Sequence, residues 1–171
     1  MELTGELETA FNKQVTLEMQ ASIVYRQLAI DMDVIDLPGI AQWLRAQSEE
    51  EIIHCEKFVK HMTDRDAHPT FEAIPAVSSR ANTVLEAFEA ALAHEKKVSE
   101  AIRELYRTAQ SAADVDSLPM LYWFISEQVE EESTISEIVG RVKLISDDGP
   151  GLLRLDAELG QRVAQVQPAE A

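Results

Sequence analysis

The chain has 171 residues, 46% of them apolar, with six glycines and six prolines, which suits one folded domain over residues 1–171 and excludes a low-complexity chain. Acidic residues outnumber basic ones 31 to 15, so the surface should repel nucleic acid and anionic lipid and draw in cations. The single cysteine, Cys55, excludes an intramolecular disulfide or a thiolate metal cluster; no apolar run reaches membrane-spanning length, and the polar start Met1–Gly5 lacks a leader pattern, so a cytoplasmic protein is expected.

Leu7, Phe11, Gln14, Glu18, Ala21, Tyr25, Leu28 and Met32 advance by alternating fours and threes, the stripe of a long helix that ends near Asp36. Pro38 cannot continue that hydrogen-bond ladder but suits the first turn of a new helix. A second stripe follows in Ile40, Leu44, Gln47, Glu51, His54, Phe58 and His61, and fades near Asp64. Residues 65–82 carry Pro69 and Pro75 and no period, and read as a connection. Extended, it reaches about 55 Å, more than the roughly 40 Å of the second helix, so it can cross the whole bundle and leave the second and third helices parallel.

The third helix opens on Thr83 and Glu86, a capping-box pair, and carries Leu85, Phe88, Leu92, Glu95, Ser99, Ile102, Tyr106 and Ala109 along its stripe. A turn is predicted around Asp114, Asp116, Ser117 and Pro119. The fourth helix then presents Leu121, Phe124, Gln128, Glu131, Ile135, Ile138, Val142 and Ile145, and is stopped by the cluster Asp147 to Gly151. Leu152 to Gln161 fits a short fifth helix, and about 162–171 reads as a frayed tail. The fold class is therefore all-α: a four-helix bundle with a long crossover between its second and third helices and a short C-terminal helix.

Every long stripe is apolar at its ends and polar in its middle. Glu18 precedes Glu51 by 33 residues and His54 by 36; Glu95 precedes Gln128 and Glu131 by the same intervals. Each half of the chain thus offers one glutamate on one helix and an i, i+3 pair on the next. Burying one unpaired carboxylate costs several kcal/mol, so a layer of inward acids and amides around one histidine needs compensating cations. Two divalent metals supply them, and oxygen donors with one imidazole suit iron or manganese and also admit zinc. Under a spatial two-fold between the halves, Glu51 and Glu131 face each other, and either could bridge two ions.

The combination of Glu18 with Tyr25 seven residues on, Glu51-Ile52-Ile53-His54, Glu95, and the run Glu127-Gln128-Val129-Glu130-Glu131 resembles the non-haem bacterial ferritins. The likeness covers the four long helices and the short C-terminal one. It implies a ferritin-like bundle and an iron-storage subunit with a di-iron ferroxidase centre. Glu18, Glu51 and His54 would hold one iron, and Glu51, Glu95 and Gln128, with Glu131, the second. Glu50, Glu127, Glu130 and Glu131 match the acids of a third iron site in such ferritins. Tyr25 would hydrogen-bond a ligand and be placed to donate an electron. The implied reaction is oxidation of Fe(II) by dioxygen or hydrogen peroxide, with ferric oxyhydroxide deposited inside a homo-oligomeric shell of 24 subunits.

Departures from related families narrow the resemblance. Bacterioferritins place a haem-ligating methionine directly after the second-helix glutamate and a second Glu-x-x-His on the fourth helix. Here those positions are Ile52 and Glu130, so no haem bound through that methionine is expected. Leu118 and Leu121 stand where animal ferritins carry the acids of their three-fold channel; Asp114 and Asp116 are the nearest acidic alternative, although surface turns are commonly acidic. His61 and His94 read as structural or surface residues, and Trp43 and Trp123 as packing residues.

Overall fold

The computed structural model describes Leu3 and residues 5–78 and 80–162. Five helices follow in order: α1 (Gly5–Val34), α2 (Pro38–Thr63), α3 (Val84–Ser111), α4 (Leu118–Ile145) and α5 (Gly149–Leu159). The expected frayed tail lies outside the described residues apart from Arg162, which is ordered against the bundle by contacts taken up below.

Helices α1 and α2 form one antiparallel hairpin, and α3 and α4 the other, with α1 also packed on α3. Asp36 closes the first hairpin in the left-handed region at φ 61°, a conformation that Asp tolerates better than most residues. The crossover is tied to α1 at successive heights. Asn12 exchanges two hydrogen bonds with Thr70, the Glu72 N–H donates to Thr16 Oγ1 at 2.9 Å, and the Ala81 N–H donates to Asp31 Oδ2 at 2.9 Å. The connection therefore runs alongside α1 and in its direction, and α3 starts at the far end parallel to α2, as the length argument requires.

Side-chain caps mark the starts of α3 and α5. Thr83 Oγ1 accepts the Glu86 N–H at 3.1 Å, while Glu86 reaches the Asn82 N–H at 2.7 Å, one residue earlier than the usual reciprocal bond. Two predicted boundaries move. Helix α4 begins at Leu118, with Pro119 inside its first turn; α5 begins at Gly149, so the residues that stop α4 also start its successor. Asp148 makes this possible by accepting the Gly151 N–H at 3.0 Å, with Pro150 suited to a first turn.

Helix α5 is docked on the start of α2. Asp156 Oδ1 accepts the Ile40 N–H at 2.7 Å, and the backbones approach so closely that a Cβ on Gly39 would lie 1.9 Å from the Asp156 carbonyl oxygen. Only glycine permits that approach.

The apolar core comes in two blocks. One gathers Leu28, Met32, Ile40, Leu44, Phe88, Ile135 and Leu155; the other gathers Phe11, Val15, Phe58, Met62, Ile102, Leu121 and Phe124, with Phe58 stacked on Phe124 at 4.1 Å between α2 and α4. Leu121 is fully buried there, so it lines no channel. The polar side chains of the stripes occupy the layer between the blocks.

At the end of the bundle below the second block, Arg65 forms a two-pronged bond to Asp114, at 2.8 and 2.7 Å, and also reaches Ser117. Asp114 is thus a buried structural carboxylate locking the end of α2 to the α3–α4 turn, and the suggested role as an acidic uptake group is set aside for it. Burial pushes its pKa up, but the bonds from Arg65 and Ser117 prevail and hold it below the ordinary value of 3.8. A carboxylate with a depressed pKa stabilises the fold above its unfolded pKa and loses that contribution as pH falls through its folded one. Asp114→Asn should cost about 2 kcal/mol at pH 7 by removing the charge from a buried ion pair, with the deficit shrinking below pH about 4. Urea melts of both proteins across pH 3 to 7 measure it; a deficit independent of pH would contradict the ion-pair account.

Candidate metal centre

The layer between the two core blocks receives Glu18 and Tyr25 from α1, Glu51 and His54 from α2, Glu95 from α3, and Gln128 and Glu131 from α4, all buried. Their convergence follows from the stripe: each helix turns the same face inward for its whole length, so the polar middle of that face must meet the other three. Ser22 and Ser48 lie at the same level, with hydroxyls 3.0 Å apart, and their small size lets α1 and α2 approach closely beside the acids.

Two glutamines one turn before the acids orient them. Gln14 donates to Glu18 Oε1 at 2.7 Å, and Gln47 donates to Glu51 Oε1 at 2.9 Å, both along i, i+4 rows. The sequence placed both glutamines on the inner stripe without giving them a task; two repeats of Gln-x-x-x-Glu on that stripe were the available signal. On the opposite side, Tyr25 donates to Glu95 Oε1 at 2.5 Å and Gln128 donates to Glu95 Oε2 at 2.9 Å, so α1, α3 and α4 are joined through one carboxylate. Glu51 Oε2 stands 3.3 Å from His54 Nδ1.

Crowded acids without cations hold on to protons. Burial first, and then the charge of Glu51, raise the Glu18 pKa to about 8, against the opposing pull of His54 and Gln14. Burial and the charges of Glu51 and Glu131 carry Glu95 well above the ordinary carboxylate range; burial and Glu51 take Glu131 to about 7. For His54 burial disfavours the cation, but the bond to Glu51 and the charges of Glu51, Glu18 and Glu131 outweigh it and raise its pKa to about 10. The Tyr25 hydroxyl is driven well above its usual pKa by burial and by Glu95, so it stays a proton donor.

Glu18, Glu51 and His54 each offer a ligand atom, all within 4.8 Å of one another. Glu18 Oε2 and Gln47 Oε1 are buried with no hydrogen-bond partner. Such orphaned oxygens beside protonated acids fit a divalent cation, which would complete their coordination and replace the protons. The set expected for a second ion is wider. Glu95 and Gln128 are bonded to each other, but among the described residues Glu51, Glu95 and Glu131 are not drawn within that same distance.

Instead, His54, Glu127 and Glu131 form the second close group. They face a cleft between α2 and α4 that is also lined by Glu50, Glu130, Lys57, Trp123 and Arg162. All four acids expected at a third site thus border one cleft, but Glu50 is paired with Arg162 at 2.5 Å and Glu130 lies exposed at the rim. Of the histidines given no metal role, His61 bonds Ser117 at 2.8 Å, and burial with the neighbouring Lys97 lowers the His94 pKa to about 4. Trp123 packs edge-on to His54 at 5.7 Å, and Trp43 edge-on to Phe88 at 5.4 Å.

A four-helix bundle with a long parallel-making crossover, a docked fifth helix and a buried carboxylate–histidine layer defines a ferritin-like protein. The family profile described as Ferritin-like domain matches residues 8–145. The chain is 31% identical over 160 residues to a bacterial non-heme ferritin of Bacteroides fragilis, covering 94% of this chain and 99% of that one. It is 33% identical to the bacterial non-heme ferritin of Staphylococcus haemolyticus, covering 94% and 96%. The open-pore ferritin of the archaeon Archaeoglobus fulgidus superposes with a TM-score of 0.91 at 32% identity, covering 94% of this chain and 99% of that one. An engineered closed form of that ferritin gives 0.93, covering 96% and 100%. The chain belongs to the ferritin family.

Proposed function

We propose that this chain is an iron-storage ferritin subunit that oxidises Fe(II) at a di-iron centre within its own bundle. The observation that carries this reading is the buried Glu18, Glu51 and His54 group, with its orphaned oxygen, beside the Glu95–Gln128 pair. In this reading Glu18, Glu51 and His54 hold one Fe(II), and Glu51, Glu95, Gln128 and Glu131 the other. Glu51 is shared between them. Two ferrous ions held close together each give one electron to dioxygen or hydrogen peroxide, and the ferric product hydrolyses to the stored mineral.

The chain's own groups do the positioning. Gln14 and Gln47 fix the carboxylates of Glu18 and Glu51, and Tyr25 fixes Glu95 while keeping its own proton. The wider second set is compatible with an ion that binds less tightly and leaves as product. By its family the subunit works in a cytoplasmic shell of 24 copies, with residues 1–171 as one domain and no haem, nucleic acid or membrane involved. Among the described residues no helix is long and apolar enough to cross a membrane.

Aerobic addition of two Fe(II) per subunit to metal-free protein, followed by absorbance and light scattering, tests this. Rapid ferric product retained in a shell-sized particle is expected. Oxidation no faster than in buffer alone, or ferric product precipitating outside the particle, would refute it.

A further inference from the structure

The cleft beside the metal centre contains a cation of the chain's own. Arg162, three residues beyond the end of α5, lines this cleft together with Glu50, His54, Lys57, Glu127, Glu130 and Glu131. One guanidinium nitrogen, Nη2, donates to Glu50 Oε2 at 2.5 Å, and the group lies 4.3 Å from the centre of the Trp43 ring. The other nitrogen, Nη1, is buried without a hydrogen-bond partner. A guanidinium is permanently charged and its fork suits two acceptors, so a buried prong without a partner needs a reason. The acids lining the cleft provide it.

We propose that Arg162 is a built-in counter-cation for this cleft, and that a further metal ion binds there only by displacing it from Glu50. The proposal rests on the functional reading above, because the displacing ion is the ferritin's substrate or a divalent stand-in. Glu50 bonded to Arg162 cannot offer the same oxygen to a metal. Arg162 supplies one charge, whereas a divalent ion supplies two in a smaller volume, so the ion wins at sufficient concentration. Monovalent cations, with no such advantage, are excluded.

The arginine's placement is set by the fold. Helix α5 is held on α2 by the Asp156 bond to the Ile40 N–H and by the Gly39 approach, and Trp43 supplies a flat surface one turn further along α2. The arrangement makes Arg162 a specificity-determining residue of the cleft. It takes no part in holding the two ions of the main centre.

Trp43 makes the displacement visible. The chain has two tryptophans, so Trp123→Phe leaves Trp43 as the sole tryptophan, excited selectively over the tyrosines, with the guanidinium against its face. Zn(II), which undergoes no redox change, is titrated into the full-length, metal-free assembled protein while heat and emission are recorded. Three ions per subunit are expected, the third bringing a change in Trp43 emission. In Arg162→Gln on the same background, the third ion should bind about 10-fold more tightly, the first two unchanged, and the emission change should be lost. Arg162→Lys should give an intermediate affinity.

Three ions with equal third-site affinity in wild type and Arg162→Gln would overturn the counter-cation role. Two ions in both proteins would overturn it too, while leaving the di-iron reading standing. Binding of no ion at micromolar concentration would instead refute the functional reading on which the proposal rests.

Discussion

Glu18→Gln should leave the metal-free protein at least as stable as wild type at neutral pH, more stable than wild type at pH 9, and deficient in iron oxidation by at least about 100-fold. The stability half follows from the raised Glu18 pKa of about 8. An acid with its folded pKa above the unfolded 4.5 favours the fold while protonated, and that advantage is lost as pH rises through the folded value. Glutamine has the shape of the protonated acid and never ionises, so it escapes the loss. At pH 9 wild type must bury a charge next to Glu51 or shed structure, at a cost of several kcal/mol.

The functional half follows from the geometry. Glu18 Oε2 is a buried oxygen without a hydrogen-bond partner, and its carboxylate belongs to the fully buried Glu18, Glu51 and His54 group. A carboxamide there removes a negative donor from the first ion, and with it the metal-induced rise in stability. In wild type that rise should be about 3 kcal/mol when the metal stands at 100 times its dissociation constant. Thermal melts at pH 6, 7 and 9 with and without Zn(II), together with stopped-flow Fe(II) oxidation, separate the two effects. A variant that melts earlier than wild type at pH 9 would show that Glu18 is held for structural reasons.

The stability and activity of this layer therefore oppose each other, which is why so much of it was readable beforehand. An inward stripe that turns polar in the middle of four helices conflicts with burial, and such a conflict marks a functional layer. Glu18, Glu51, His54, Glu95, Gln128 and Glu131 were visible on that ground, and all six are buried in one layer. The crossover was legible from its length.

The features that the sequence leaves illegible depend on contacts between segments far apart along the chain. Nothing local marks Arg162 as ordered: it follows a short helix and carries no periodic signal, and its partner Glu50 lies 112 residues away. Asp114 resembled an ordinary acidic turn residue because Arg65, 49 residues earlier, is invisible to any periodicity. The start of α5 is not legible locally, because Gly149, Pro150 and Gly151 break one helix by the same properties that suit the first turn of another, and the deciding bond is the cap from Asp148. The asymmetry between Glu-x-x-His and Gln-x-x-Glu was plain in the sequence. Its consequence was not: His54 belongs to both close ligand groups, whereas Gln128 turns to Glu95.

Metal affinity at the first site should rise about 100-fold per pH unit between pH 6 and 7.5, because binding there releases about two protons. In the metal-free protein Glu18, with a pKa of about 8, and His54, with a pKa of about 10, are both protonated over this range. A metal ion needs the carboxylate ionised and the imidazole neutral, so both protons leave as it enters. Above pH 8 only His54 still releases one, and the dependence should soften to about 10-fold per unit. The protons act as the resting counter-charges of the acids, and the ions replace them. Anaerobic calorimetry with Co(II) in buffers of different ionisation enthalpy counts the protons directly, and Glu18→Gln should reduce the count by one. An affinity that does not change between pH 6 and 7.5 would mean that the layer is ionised before metal arrives, and that Glu18, Glu51 and His54 are balanced by something other than protons.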